Sequence, residues 1–215
     1  MVEEATGVEH GTGSGTLCLD FANTVDWHSS SKPKDTLGGY AGLLEWSRLQ
    51  GLVSPAEAAS LVDKSSERAK ERDATMADAV TLREAIYRLF SAGAHGKAPA
   101  EGDLDVLNDH LARGLSRARV RSHSGGYRWG WDSGDRPLGM MLWPIARSAA
   151  ELLTSENYQR VKECANEEEG CGWLFLDTSR SQNRVWCSMK GCGNRAKFRR
   201  YYRTHSAERE RRAKD

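Results

Sequence analysis

Four of the five cysteines, Cys164, Cys171, Cys187 and Cys192, fall in the last quarter of the 215-residue chain. They form two close pairs, Cys164-x6-Cys171 and Cys187-x4-Cys192, with fifteen residues between the pairs. Two thiolates from each of two tight turns, brought together when the intervening chain folds back, are what a tetrahedral Zn²⁺ site needs. The x6 and x4 spacings are wider than the common x2. A thiol redox pair and an iron–sulfur site therefore stay open on spacing alone, although the x2 redox motif is absent. Four thiolates leave no open coordination position, so one zinc ion held here is expected to be structural rather than catalytic.

The residues after the last cysteine carry a second kind of chemistry. Arg195, Arg199 and Arg203 recur at i, i+4 and i+8, one face of a helix, with Lys197 and Arg200 flanking it and Asn194 at its start. A basic helix face on a zinc module is the electrostatic footprint of DNA binding, through phosphates and guanine edges. Asn194 is a weaker contact candidate, since asparagine at a helix start also caps it. Phe198, Tyr201 and Tyr202 fall toward other sides, where they are expected to pack on Trp173 or Trp186. The charge arithmetic agrees. Residues 180–215 hold twelve Lys+Arg and three Asp+Glu, a net of +9, against nineteen and twenty-seven, a net of −8, in residues 1–179. A solvated basic tail and a patch for an acidic protein partner are the competing explanations.

Elsewhere the chemistry is sparse. Asp20, Asn23, Asp26 and His28 lie close in sequence beside Trp27 and could line a polar ligand pocket, or form a turn rich in side-chain-to-backbone hydrogen bonds. Acid–base catalysis by Asp20 and His28 is the weakest reading, and no catalytic residue is assigned. His110 on a leucine-rich helix reads as a packed histidine, and Cys18, with no Cys or His neighbour, as a small core residue. The glycines at 7, 11, 13 and 15 lack a preceding strand and a following Gly-Lys-Ser/Thr, which excludes a phosphate-cradling loop.

The elements that must position these groups are mostly helices. Residues 1–16 read as a flexible leader. Leu17 to Val25 fits a buried strand or a short helix. Tyr40, Leu43, Leu44 and Leu49 mark a helix closed by Gly51. Ser54-Pro55-Ala56-Glu57 is a capping-box start for a helix carrying Leu61 and Val62 on its apolar side. Thr75 to Asp78 opens another, with a stripe from Val80 to Phe90 that ends at Gly93 and Gly96. Leu104, Leu107, His110, Leu111 and Leu115 give a fourth. Ala118–His123 and Tyr127–Trp131 read as a β-hairpin, and Leu138 to Leu153 as a last helix. Within the cysteine module, Trp173–Asp177 and Asn183–Trp186 should pair as a hairpin around 178–182, ahead of a helix reaching Arg203.

No run approaches the length of about 18 apolar residues that a membrane span needs, and the N-terminus lacks a basic n-region and apolar h-region. A cytoplasmic chain with reduced thiols and no membrane partner is expected.

These residues also match a known pattern. Cys192-Gly193-Asn194-Arg195, with Cys187-Ser188-Met189 and Cys171-Gly172-Trp173-Leu174-Phe175-Leu176-Asp177 before it, closely resembles the CGNR zinc-finger family. Leu17 to Thr24, Leu82 to Ile86 and Ala146 to Leu153 resemble the ABATE domain that precedes this finger in bacterial proteins; Ala22 stands where that family's Asp-Phe-Val-Asn-Thr run has valine. The resemblance implies a stress-related bacterial transcriptional regulator whose four zinc ligands match Cys164, Cys171, Cys187 and Cys192. The expected fold is mainly α with a small β-hairpin (α+β): leader 1–16, helical domain 17–158, treble-clef zinc finger 159–205 and basic tail 206–215. The function read here is DNA binding by the finger, with the body sensing a small-molecule effector or partner, Asp20, Asn23, Trp27 and His28 being the candidate pocket. A protein-interaction finger without DNA contact is the runner-up. One recognition helix buries little area, which makes a homodimer plausible.

Overall fold

The structure, a computed structural model, describes residues 16–212 apart from 124, 133 and 135. The leader expected to be flexible, except Thr16, lies outside the described residues, as does the end of the basic tail.

The segment that fitted either helix or strand is a helix, α1 (Leu17–Ala22), with Cys18, Leu19, Phe21 and Ala22 buried. Ser148 Oγ accepts the Cys18 amide at 3.2 Å, satisfying one of the donors a helix start leaves open. The chain then reverses through an antiparallel pair, β1 (Val25–Asp26) with β2 (Lys34–Asp35), which the sequence pattern did not reveal. Next comes α2 (Tyr40–Leu49), followed by Gly51 at φ 70°, a left-handed residue after the helix end. Helix α3 (Pro55–Glu67) carries the full reciprocal capping box of Ser54 and Glu57. Leu61 is buried, but Leu49 and Val62 point to solvent rather than into the apolar faces expected of them.

Helix α4 (Ala69–Ala94) starts six residues before the expected Thr75, after a break at Arg68. Lys70 to Asp73 is polar all round, so no apolar period marks this first turn, yet Lys70, Glu71 and Arg72 are good helix formers. From Ala79 to Phe90 it is the central helix. Ala79, Leu82, Ala85, Ile86, Leu89 and Phe90 are each at most 1% exposed, because α1, α2, α3 and two further helices, α5 (Glu101–Ser116) and α6 (Leu142–Leu153), pack round it. Arg83 is buried among them. Its guanidinium meets Asp35 at 2.9 Å, Glu84 at 3.2 Å and Thr24 at 3.3 Å, so that the buried charge is paired and hydrogen-bonded. Helix α6 begins four residues later than expected, after a turn through Leu138–Met141. Between α5 and α6 stands the expected hairpin, β3 (Ala118–His123) and β4 (Gly126–Trp131).

His110 is 3% exposed and faces Asp78 at 3.3 Å. Burial pushes its imidazole down, against the upward pull of the Asp78 carboxylate. A base with a depressed folded pKa takes up its proton more readily when unfolded, so stability should fall as pH drops through the ordinary histidine range. We expect His110→Gln to flatten the dependence of the melting temperature on pH between about 7 and 5. A His110 ring that titrates by NMR at or above the ordinary histidine value would contradict this.

The last pair of strands joins the two parts of the chain. Strand β5 (Val161–Glu163) pairs antiparallel with β6 (Leu174–Leu176). The hairpin expected between Trp173–Asp177 and Asn183–Trp186 does not form. The reason lies in Asp177, whose buried carboxylate gathers the intervening loop: it accepts from Lys162 Nζ at 2.7 Å, from Ser179 N and Arg184 N at 3.0 Å each, and from Ser179 Oγ. The Arg184 amide, which a hairpin would give to its neighbour, is given to a side chain instead. Burial would raise that carboxyl, but the hydrogen bonds from Lys162, Ser179 and the two amides outweigh it and hold it well below the usual carboxylate range. Alternation along β5–β6 sends Val161 and Leu174 into the main core and Phe175 into a second, smaller core.

Candidate zinc centre and basic helix

That second core is built on the four cysteines. Cys164 follows β5, and Cys171 follows a single helical turn, Glu167–Glu169, closed by Gly170 at φ 66°. A β-carbon on Gly170 would fall 2.4 Å from Ser30 Cα and 2.5 Å from its nitrogen. Glycine is thus needed both for the left-handed turn and for the close approach of the body's backbone. Cys187 ends the extended run after the Asp177 loop. Cys192 sits in a wide turn, Met189–Gly193, that leads straight into helix α7 (Asn194–Arg212). Two ligands from a knuckle and two ahead of a helix is the treble-clef order.

All four thiols are buried and unbridged, and their sulfurs lie within 4.8 Å of one another. Cys187 and Cys192 are 3.5 Å apart, Cys192 and Cys171 3.6 Å, and Cys171 and Cys187 3.8 Å. A tetrahedron with metal–sulfur bonds of about 2.3 Å has edges of about 3.8 Å, so this donor set fits one zinc ion. The surroundings favour thiolates. Cys187 N donates to Cys164 Sγ at 3.4 Å, and Asn166 Nδ2 donates to Cys192 Sγ at the same distance. The neighbouring thiols of Cys164, Cys171 and Cys187 hold the Cys192 thiol well below its ordinary range, whereas its hydrogen bond with Cys164 pushes the Cys171 thiol up. Cys164, Cys171, Cys187 and Cys192 would all hold a bound divalent cation as thiolates. The fifth cysteine takes no part: burial pushes the Cys18 thiol up to about 12, which leaves it inert.

The expected arginine stripe is present, but Arg195 and Arg199 turn inward onto the knuckle and only Arg203 stays largely exposed. Arg195 Nε lies 3.3 Å from Glu169, and its guanidinium stands 4.7 Å from the Trp27 ring. Arg199 pairs with Glu168 at 2.9 Å and also with Glu169, and donates to Asn166 Oδ1. Arg203 pairs with Glu168. The stripe is therefore seated on the acidic turn between the first two ligands. Partly exposed pairs of this kind contribute only about 0.2–1 kcal/mol each, so their main effect is to orient α7. Sequence reading missed the partners, Asn166, Glu168 and Glu169. The signal was a run of three glutamates between two ligands, opposite in charge to the arginines downstream. Asn194, Lys197 and Arg200 are exposed. So are Phe198, Tyr201 and Tyr202, at 63%, 56% and 65%, and they do not pack on Trp173 or Trp186 as expected. Those tryptophans instead pack against the cysteines, with Trp27.

The candidate pocket residues at the start of the chain are dispersed along a seam. Asn23 is buried and bonds to the backbone of β6, donating to Leu174 O at 2.8 Å and accepting from Leu174 N at 2.9 Å. Trp27, at φ 56°, turns its ring to the zinc core. The next two amides donate to the knuckle, His28 N to Cys171 O and Ser29 N to Gly170 O. The His28 ring stacks on Tyr87 at 3.5 Å and meets Glu84 at 2.9 Å. Asp20 lies half-buried on α1. Beside them Glu163 accepts from Tyr87 at 3.0 Å, Ser29 at 3.2 Å and Ser91 at 2.6 Å, tying β5 to α4.

Comparison with known families gives two matches. Residues 15–156 match the family described as ABATE, "Putative stress-induced transcription regulator". Residues 160–205 match the CGNR zinc finger. Both are regulator and zinc-finger types rather than enzyme families. Among curated proteins none matches the chain. No helix of the described residues is long and apolar enough to cross a membrane.

Proposed function

The chain belongs to the ABATE family and ends in a CGNR zinc finger, and from that premise we propose that it is a transcription regulator that binds duplex DNA through α7. The observation that carries this reading is the seating of α7. Arg195, Arg199 and Arg203 hold the helix on the zinc knuckle, so the opposite face, with Asn194, Lys197 and the flanking Arg200, is presented outward. Lys197 and Arg200 contact phosphates, Asn194 reaches a base edge near the helix start, and Phe198 and Tyr201 cover sugar or thymine methyl groups. Arg203, with 68% of its side chain exposed, is within reach of the backbone as well. In this reading Asn23, Trp27 and His28 serve the seam that carries any change in the body to the finger. A small-molecule effector would act through that seam.

The second reading, a finger that binds a protein partner, is favoured by the three exposed aromatics, since tyrosine and phenylalanine are enriched in protein interfaces. Salt dependence separates the two. For the zinc-loaded chain on a duplex, Lys197→Gln/Arg200→Gln should lower affinity and flatten the slope of log K against log salt by about 2, one counterion per phosphate contact. A wild-type chain with no duplex binding at low salt excludes the DNA reading.

A further inference from the structure

The hairpin β3–β4 belongs to neither the zinc centre nor the seam. Its register pairs Ala118 with Trp131, Val120 with Trp129 and Ser122 with Tyr127, and between them Arg119 with Gly130, Arg121 with Arg128 and His123 with Gly126. Directly opposed residues share a face of an antiparallel pair, so the ribbon has one aromatic face and one arginine face. The Arg147 guanidinium of α6 stands 4.4 Å from the Trp129 ring. This contact ties the aromatic face to α6 at Trp129 only, since Val120, Trp129 and Tyr127 remain 66%, 47% and 81% exposed; the arginine face, on the other side of the ribbon, is turned outward.

That outward face is built for close approach. Arg119, Arg121 and Arg128 are all exposed, and two of the three cross-strand positions hold glycine. A β-carbon at Gly130 would fall 2.7 Å from Arg121 Cδ and Nε, so the glycine makes room for that side chain to lie across the ribbon. Arg121 Nη2 then donates to Trp131 O at 3.3 Å, which holds the guanidinium over the strand. Arg119 pairs with Asp132 at 3.5 Å, both about half exposed, a contact that water screens strongly. Arg119 and Arg121 stand two residues, about 7 Å, apart along one strand, and Arg128 lies across from Arg121.

We propose that this arginine face is a second DNA-contacting surface, located in the body rather than the finger, which binds the phosphate backbone of the same duplex. The inference rests on the DNA-binding reading above. A two-stranded ribbon fits a groove about 12 Å wide, and three exposed guanidinium groups on one face complement phosphates in charge. The role is positional: it adds affinity without selecting sequence.

The test uses full-length, zinc-loaded protein and a duplex of arbitrary sequence, with affinity measured from about 50 to 200 mM salt. Arg119→Gln/Arg121→Gln/Arg128→Gln should flatten the salt slope by between 2 and 3 and weaken binding roughly tenfold or more at the higher salt. The matching triple lysine variant keeps the charge and should keep the slope. Unchanged zinc content and melting temperature show that the glutamine variant is folded. A glutamine variant with wild-type slope and affinity, while Lys197→Gln/Arg200→Gln loses binding, overturns the hairpin surface and leaves the finger reading standing. A wild-type chain that ignores duplex overturns both. Preference for single-stranded RNA over duplex in competition, lost in the glutamine variant, also overturns the proposal, because the ribbon would then serve another partner. Equal loss in the lysine and glutamine variants overturns it too, since charge would not be what binds.

Discussion

Removing the zinc is expected to unfold the finger and leave the helical body standing with a lower melting temperature. The module from Cys164 to α7 has a core of only Phe175 and the four cysteines, flanked by Trp27, Trp173 and Trp186. That apolar area is too small to hold a fold without a metal. For structural zinc in small fingers the binding free energy, about 10 kcal/mol or more, is folding free energy. The knuckle, the Met189–Gly193 turn and the seating of α7 all depend on it. Strands β5 and β6 do not, because Val161 and Leu174 are part of the body's core. A strong chelator, or Cys192→Ser, should therefore abolish the one zinc per chain and expose the amides of α7 to hydrogen exchange. It should also change the fluorescence of the finger tryptophans, while the helical circular dichroism of α1 to α6 persists. A Cys192→Ser chain that keeps stoichiometric zinc and its melting temperature would refute a four-cysteine site.

Those two levels of the finger were not equally legible in the sequence. The ligands were, because cysteine spacing in a chain with few other cysteines is a local signal that one metal explains. The helix after Cys192 was legible for the same reason: an i, i+4, i+8 repeat is a property of one segment. What that repeat faces was not. Arg195, Arg199 and Arg203 meet Glu168 and Glu169 where the four clustered cysteines bring the two segments together, and glutamates on a turn look like solvated charge until their partners are placed. The failed hairpin has a related cause. Both runs around Ser179–Gln182 have strand-like composition, and nothing in either shows that Asp177 will take the Arg184 amide or that β6 will pair upstream with β5. In the body, the capping box of Ser54 and Glu57 was read correctly because it is complete within four residues. The polar start of α4 was missed because periodicity is silent where no apolar residue falls.

The seam gives a physical meaning to the polar residues from Asn23 to His28. They were candidates for a ligand pocket because they cluster in sequence, but each reaches a different target: Asn23 the backbone of β6, Trp27 the zinc core, and His28 both the knuckle and α4. Cys171 O and Gly170 O receive the amides of His28 and Ser29, so the loop grips the knuckle directly beside a zinc ligand. In the proposed reading a shift of this loop would move the knuckle and, through Glu168 and Glu169, α7. The body and the finger are then mechanically one unit at this point.

Asn23 is the residue on which that unit turns, and its replacement is expected to destabilise the whole chain. Its carboxamide presents a donor and an acceptor to the two backbone groups of Leu174, as a neighbouring strand would, with both bonds buried. Asn23→Ala leaves the Leu174 N–H and C=O unpaired away from water. At about 1–3 kcal/mol for each unsatisfied buried group, the loss should be near 4 kcal/mol. Asn23→Asp should lose at least as much, although it is nearly isosteric. The carboxylate can still accept the Leu174 amide, but its second oxygen then faces the Leu174 carbonyl, acceptor against acceptor, at a buried site where an unpaired charge is costly. Denaturant unfolding measures the loss, and hydrogen exchange at Leu174 should report faster opening in both variants. Zinc binding should weaken as well, since β6 leads from Cys171 toward Cys187. If Asn23→Asp unfolds at the same denaturant concentration as wild type, the carboxamide is not what holds β6 to α1, and the seam must be carried by the Trp27–Ser29 loop alone.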